Sequence, residues 1–149
     1  RALSGGGSEK GVDADASDRV TEETLDAAAA FVKAFAERTG AVAAVTGAID
    51  IVTDGRTAYR IRNGHPMMSR VTGTGCQLSA LTAAFLAAAP EEPLTAAAAA
   101  VCAMGLAGEI AYRRLTLLDG NASYRNYIID AIYNMTPAQL EEGASYEVR

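Results

Sequence analysis

The 149 residues are 50% hydrophobic, enough for one domain with a packed core and too many for a disordered chain. A formal net charge of -5 argues against a binder of nucleic acid or an anionic membrane, which needs a basic patch, and points instead to a small ligand. Two cysteines, Cys76 and Cys102, are too few for a disulfide framework, and both fall in helical patterns, as in a cytoplasmic protein.

The chain opens on Arg1 and on Arg-Ala-Leu-Ser-Gly-Gly-Gly-Ser-Glu-Lys-Gly, which reads as the tail of a helix and a loop, so the start is expected to be a truncation or cleavage point. It lacks the charged-then-apolar order of a signal peptide, and every apolar run of membrane-spanning length is broken by glycine or charge. From Thr21 to Arg38, Leu25, Ala28, Ala29, Val32 and Ala36 recur at helical spacing, with Glu22, Glu23 and Asp26 in the first turns and Gly40 as the stop. Two short apolar runs, Ala41 to Thr46 and Ile49 to Thr53, flank Gly47. An alternating run follows from Thr57 to Ile61. These read as strands, the last two forming a hairpin around Asp54-Gly55.

Asn63-Gly64-His65-Pro66 reads as a loop, because Asn-Gly favours a turn and Pro66 disfavours helix at His65. Helices are predicted over Gly75 to Ala88, stopped at Pro90, over Leu94 to Leu115 with Pro93 near N1, and over Ser123 to Met135. The alanine-rich segments are expected to be packed helices, since larger apolar residues recur through them. Gly105, Ala107 and Gly108 are expected to permit close helix approach. Helix, three strands and three helices make an α/β layered domain.

The segment of greatest chemical interest is Val71-Thr72-Gly73-Thr74-Gly75-Cys76, a glycine turn running into an apolar helix. The first N–H groups of a helix lack intrahelical partners and lie at the positive end of its dipole, where anions bind. Gly73 and Gly75 remove Cβ atoms that would hold a phosphate off Thr74, Gly75 and Cys76, and both are expected to allow positive φ. A tight strand-to-helix turn uses glycine for steric reasons alone, so both readings stand on the hexapeptide.

Val45-Thr46-Gly47-Ala48-Ile49-Asp50-Ile51-Val52-Thr53-Asp54-Gly55, then Asn63-Gly64-His65-Pro66-Met67-Met68, then Val71 to Cys76 resemble, in order and spacing, the hydroxyethylthiazole kinase family of thiamin salvage. Lys10-Gly11-Val12-Asp13 and Ile129-Asp130-Ala131-Ile132-Tyr133-Asn134 are similar to further family segments. The resemblance implies a ribokinase-like three-layer α/β/α sandwich, ATP and Mg²⁺ as cosubstrates, and phosphorylation of 4-methyl-5-(2-hydroxyethyl)thiazole on its hydroxyl. It further implies a homotrimer with active sites between subunits. By motif, Thr46 is implied to contact ATP, Gly73 the thiazole alcohol, and Cys76 to lie beside the reacting hydroxyl.

The wider superfamily carries aspartate where Cys76 stands, as the base that takes the hydroxyl proton. A thiol at a helix N-terminus gains thiolate character, which a nearby phosphate opposes. Cys76 is therefore read as a modest base or a positioning group and not as a nucleophile. Ala48 stands where many relatives are acidic. The family's Arg-Gly-Asn-Ala-Ser-Glu segment, whose arginine and glutamate serve ATP and metal, would lie upstream of Arg1. Residues 1–149 thus resemble the C-terminal portion of one kinase domain, with the N-terminal half and the metal ligands outside the chain. The alternatives are another ribokinase-superfamily kinase of a sugar or pyrimidine alcohol, against which Cys76 and Asn63-Gly64-His65-Pro66 count, or an inactive fragment that assembles with the N-terminal half.

The remaining candidates have plainer readings. Gly120-Asn121-Ala122-Ser123 superficially matches the upstream segment and is a glycosylation sequon, yet its place before the last helix makes Asn121 or Ser123 an N-cap. His65 reads as a structural hydrogen-bonding group in its turn, and Cys102 as a small hydrophobe. Asp50 and Asp54 carry metal-ligating carboxylates, but Asp54 precedes glycine in a turn and Asp50 reads as solvent-facing at a strand edge.

Overall fold

The computed structural model describes residues 20–149. In chain order they form α1 (Leu25–Thr39), β1 (Ala43–Val45), β2 (Asp50–Thr53), β3 (Ala58–Ile61), a 3-10 helix (Pro66–Arg70), α2 (Thr74–Ala88), α3 (Pro93–Arg114), α4 (Asn121–Asn134), α5 (Pro137–Gly143) and β4 (Tyr146–Val148). The Lys10 to Asp13 segment lies outside the described residues.

The strands make one antiparallel sheet in the order β1-β2-β3-β4. Period-2 alternation along β2 divides its side chains between two layers. Ile51 packs with Leu25, Ala29 and Val32 of α1, whereas its neighbour Val52 joins Ala97, Ala98, Val101 and Cys102 of α3. The expected α/β/α layering is therefore built around β2. The predicted β2–β3 hairpin forms: Asp54 accepts the N–H groups of Arg56 and Thr57, both at 2.8 Å, and buried Thr53 donates its hydroxyl to the Thr57 carbonyl at 2.6 Å. These N–H bonds hold the Asp54 carboxyl below its ordinary range. Gly55, at φ 97°, is required doubly, since a Cβ there would come within 2.9 Å of the Glu37 backbone nitrogen.

α3 is the pillar of the fold. It is long and apolar enough to cross a membrane, but most of it is buried in the protein, with Val101 and Cys102 against the sheet and Met104, Ala107 and Ala111 against α4. A helix apolar all round is what burial on several sides selects. α2 differs from the expectation of a packed helix. Leu78 and Leu81 pack inward, whereas Gly75, Cys76, Ser79, Ala80, Ala83 and Ala84 are exposed and α2 has no fully buried residue.

Three local expectations are corrected. α1 starts at Leu25 because residues 21–24 form a separate turn, in which Thr21 N–H is received by the Thr24 hydroxyl at 2.9 Å. Glu22 consequently lies outside the helix and pairs with Arg62, whose guanidinium holds its carboxyl low. α4 starts at Asn121 with Gly120 as its N-cap and no side-chain cap, because the Asn121 amide instead donates to the Arg70 carbonyl at 3.1 Å. α5 and β4 extend the fold beyond the last predicted helix. α5 carries a readable signal, Thr136-Pro137-Ala138-Gln139, a capping box with proline at its start.

Candidate functional site

The glycine turn is delivered by a tethered loop. Beyond β3, buried Asn63 donates its amide to Glu109 at 3.1 Å and to the Gly143 carbonyl at 2.9 Å, and accepts the Ser145 N–H at 2.7 Å. Gly64 N–H meets the same Glu109 oxygen at 2.9 Å, at a φ of 134° that favours glycine. Asn63 is thus a buried clamp joining the loop to α3, to the end of α5 and to the residue before β4. Sequence reasoning recognised its turn and missed the clamp and Glu109, since those partners lie 46 to 82 residues away.

Gly105 and Gly108 do permit close approach, although what approaches is this loop and the 3-10 helix. A Cβ on Gly105 would stand 2.6–2.7 Å from Asn63, and one on Gly108 would collide with the Met68 side chain. His65 plays the expected structural part: its Nδ1 accepts the Met67 N–H at 3.2 Å, and its ring stacks on Tyr112 with centroids 3.5 Å apart.

The 3-10 helix then passes through buried Val71 to Gly73, the N-cap of α2, at φ 96° and ψ 2°. Only Gly73 of the two glycines takes positive φ; Gly75 lies within the helix at an ordinary φ, so its use is the space it leaves. Gln77 N–H reaches the Gly73 carbonyl at 3.0 Å, so the helical ladder begins there. No side chain caps α2, and the N–H groups of Thr74, Gly75 and Cys76 have no acceptor among the described residues. Cβ atoms built on Gly73 or Gly75 meet nothing within 4 Å. Cys76 places an exposed free thiol in this first turn. An open, uncapped helix start without Cβ obstruction fits a phosphate group.

Thr46 lies elsewhere, exposed just beyond β1 in the turn leading to β2. No hydrogen bond joins it to Gly73, Thr74, Gly75 or Cys76 among the described residues. Leu78, early in α2, packs against the cluster that holds Val52 of β2 and Cys102 of α3. Two clefts, of about 360 Å³ beside Gly40, Asp54 and Arg56 and of about 220 Å³ between Tyr59, Cys102 and Tyr146, include neither Thr46 nor the α2 cap in their walls.

Asp50 departs from its expectation. It is half-buried, accepts the Gly47 N–H on Oδ1 at 2.8 Å, and desolvation pushes its carboxyl up to about 6. Burial first, and then the Asp50 charge, push the Cys102 thiol up to about 11, as suits the small buried hydrophobe expected there. Among the described residues no three His, Cys, Asp or Glu side chains gather as a metal-ligating group.

The profile of the hydroxyethylthiazole kinase family matches residues 3–138, a span holding the β1–β2 turn, the clamped loop and the α2 cap. The chain belongs to the hydroxyethylthiazole kinase family. It is 54% identical over 143 residues to a hydroxyethylthiazole kinase of Clostridium acetobutylicum, covering 96% of this chain and 52% of the relative. It is 47% identical over 146 residues to that of Granulibacter bethesdensis, covering 97% and 49%. Among solved structures, the hydroxyethylthiazole kinase protein of Pyrococcus horikoshii OT3 superposes with a TM-score of 0.77 at 34% identity, over 86% of this chain and 48% of that one. The chain spans about half the length of the curated relatives it matches.

Within this kinase family assignment, most of α5 and all of β4 lie beyond the matched span. They are nevertheless part of the fold that holds the loop, because Gly143 and Ser145 are two of the three partners of Asn63.

Proposed function

We propose that residues 20–149 form the phosphate-binding and acceptor-orienting portion of an ATP-dependent hydroxyethylthiazole kinase, acting on the hydroxyl of 4-methyl-5-(2-hydroxyethyl)thiazole. The observation that carries this reading is the uncapped N-terminus of α2, open at Gly73 and Gly75, with the Cys76 thiol in its first turn. In the reaction the hydroxyl oxygen forms a bond to the γ-phosphorus as the bond to the β–γ bridging oxygen breaks, ADP leaves, and the hydroxyl proton passes to a base or to water.

The α2 N–H groups stabilise charge on the transferring phosphoryl group. Gly73 lets the thiazole alcohol approach the backbone, Thr46 contacts ATP, and Cys76 acts on the acceptor hydroxyl as a weak base or a positioning group. Mg²⁺ would supply charge neutralisation on the phosphates, held by ligands from the N-terminal half of the family's kinase domain. That half also completes the thiazole pocket. The exposed small-residue side of α2 and the edge of β1, unpaired among the described residues, support the reading that further protein packs here. The active form is a cytoplasmic homotrimer.

The test is an assay of an intact polypeptide carrying this chain together with an N-terminal half, using ATP, Mg²⁺ and a panel of thiazole, sugar and pyrimidine alcohols. ATP-dependent phosphorylation of the hydroxyethylthiazole in preference to the others is expected. Absence of its turnover overturns the assignment.

A further inference from the structure

We propose that Asp50 is a positioning residue of the nucleotide site: its carboxylate accepts the Gly47 N–H across the β1–β2 turn and so fixes the adjacent Thr46 for its contact with ATP. This rests on the ATP role of Thr46 proposed above and adds a residue to it.

The turn has few other restraints. β1 ends at Val45 and β2 begins at Asp50, so only four residues reverse the chain, and Thr46, Gly47 and Ala48 are all exposed. Ile49 anchors the far side by packing into the α1 cluster. On the near side, the single side-chain hydrogen bond to the Thr46–Ala48 stretch among the described residues is Gly47 N–H to Asp50 Oδ1, at 2.8 Å. Gly47 brings no side chain of its own to hold the loop. With that bond gone, Thr46 would be held only through the chain, by β1 on one side and by Ile49 three residues on.

The choice of a carboxylate is itself informative. Asp50 is half-buried at the start of β2, and among the described residues it makes no ion pair with a basic side chain. Cys102 of α3, the titratable neighbour whose thiol the Asp50 charge helps to raise, is protonated at neutral pH and offers no compensating charge. A neutral amide would be easier to desolvate there. An ionised acceptor makes the stronger bond to an N–H, which is the gain expected where loop geometry matters more than stability.

The experiment measures ATP affinity calorimetrically, alongside steady-state kinetics, in the intact protein with its N-terminal half. Asp50→Ala is expected to weaken ATP binding about tenfold while kcat at saturating ATP and KM for the thiazole alcohol change less than threefold. Asp50→Asn, which keeps an acceptor at Oδ1, is expected to restore ATP affinity to within threefold of wild type. Unchanged ATP affinity in a folded Asp50→Ala protein overturns the inference, as does an equal loss in kcat and in both substrate affinities. Should Asp50→Ala fail to fold, amide exchange at Gly47 in the wild type decides: protection supports the bond, and exchange at the rate of a free loop overturns it. A wild type that binds ATP without phosphorylating the thiazole overturns the proposed reaction and leaves the Asp50 inference to be judged by ATP affinity. A wild type that binds no ATP overturns both.

Discussion

Gly105 of α3 lies so close to Asn63 that a Cβ added to the glycine would come within 2.6 Å of the asparagine Cβ and 2.7 Å of its backbone. That contact seats the loop ahead of the α2 cap directly on the central helix. Gly105→Ala is therefore expected to destabilise the fold by about 1–3 kcal/mol through overpacking, despite the better helix propensity of alanine. Chemical denaturation with an unchanged m-value would measure it, and a neutral or stabilising result would show that the loop yields.

Gly73 and Gly75 should separate backbone strain from ligand access. Gly73→Ala places a Cβ at φ 96° and is expected to cost about 1–3 kcal/mol of stability as well as activity. Gly75→Ala, at an ordinary helical φ with nothing within 4 Å, should leave the melting temperature unchanged or raised. If phosphate occupies the cap, Gly75→Ala nevertheless lowers kcat/KM at least tenfold in the intact protein. Paired thermal and kinetic measurements on both variants check this.

Asp50 should make stability depend on pH in the direction opposite to that of a salt-bridged carboxylate. Its folded value is raised from 3.8 to about 6, so the folded state favours the protonated form, and stability from this group is present at low pH and is lost as pH rises through about 6. Asp50→Asn should accordingly stabilise the protein at pH 7.5, by about 1–3 kcal/mol. The difference should shrink between pH 6 and pH 4. Glu22, Asp54, Asp119 and Glu147 have lowered values and weaken the fold as pH falls, but they do so equally in both proteins. Denaturation midpoints of the two proteins across this range give the comparison.

The two thiols should be chemically distinct. Cys76 is exposed, whereas Cys102 is buried and its thiol is raised to about 11, so an alkylating reagent should label one cysteine in the native state and two after unfolding. In the intact protein, ATP together with the alcohol should slow labelling of Cys76. Cys76→Ala is expected to reduce kcat while sparing nucleotide affinity. A loss confined to ATP binding would make Cys76 part of the nucleotide site. Peptide mapping by mass spectrometry identifies the labelled residue.

What was legible in the chain was local. Gly40, Asp54-Gly55 and Pro93 fixed the end of α1, the hairpin turn and the start of α3 because each acts through its own backbone geometry. His65 was readable for the same reason, its bond reaching only two residues along the chain. β4 was not legible: three residues carry too little alternation to identify a strand, and its hydrogen bonds come from β3, with Tyr59 opposite Val148.

The sequence by itself determined the hairpin turn at Asp54-Gly55, the glycine turn that runs into α2, and the ordered motifs that mark the family. Each is a property of neighbouring residues. The tertiary structure decided that Asn63 is a buried clamp, that the glycines of α3 admit a loop, and that Asp50 turns inward to hold Gly47. Those outcomes depend on which distant groups fill the space around a residue, and burial and hydrogen-bond satisfaction set that only when the whole fold closes.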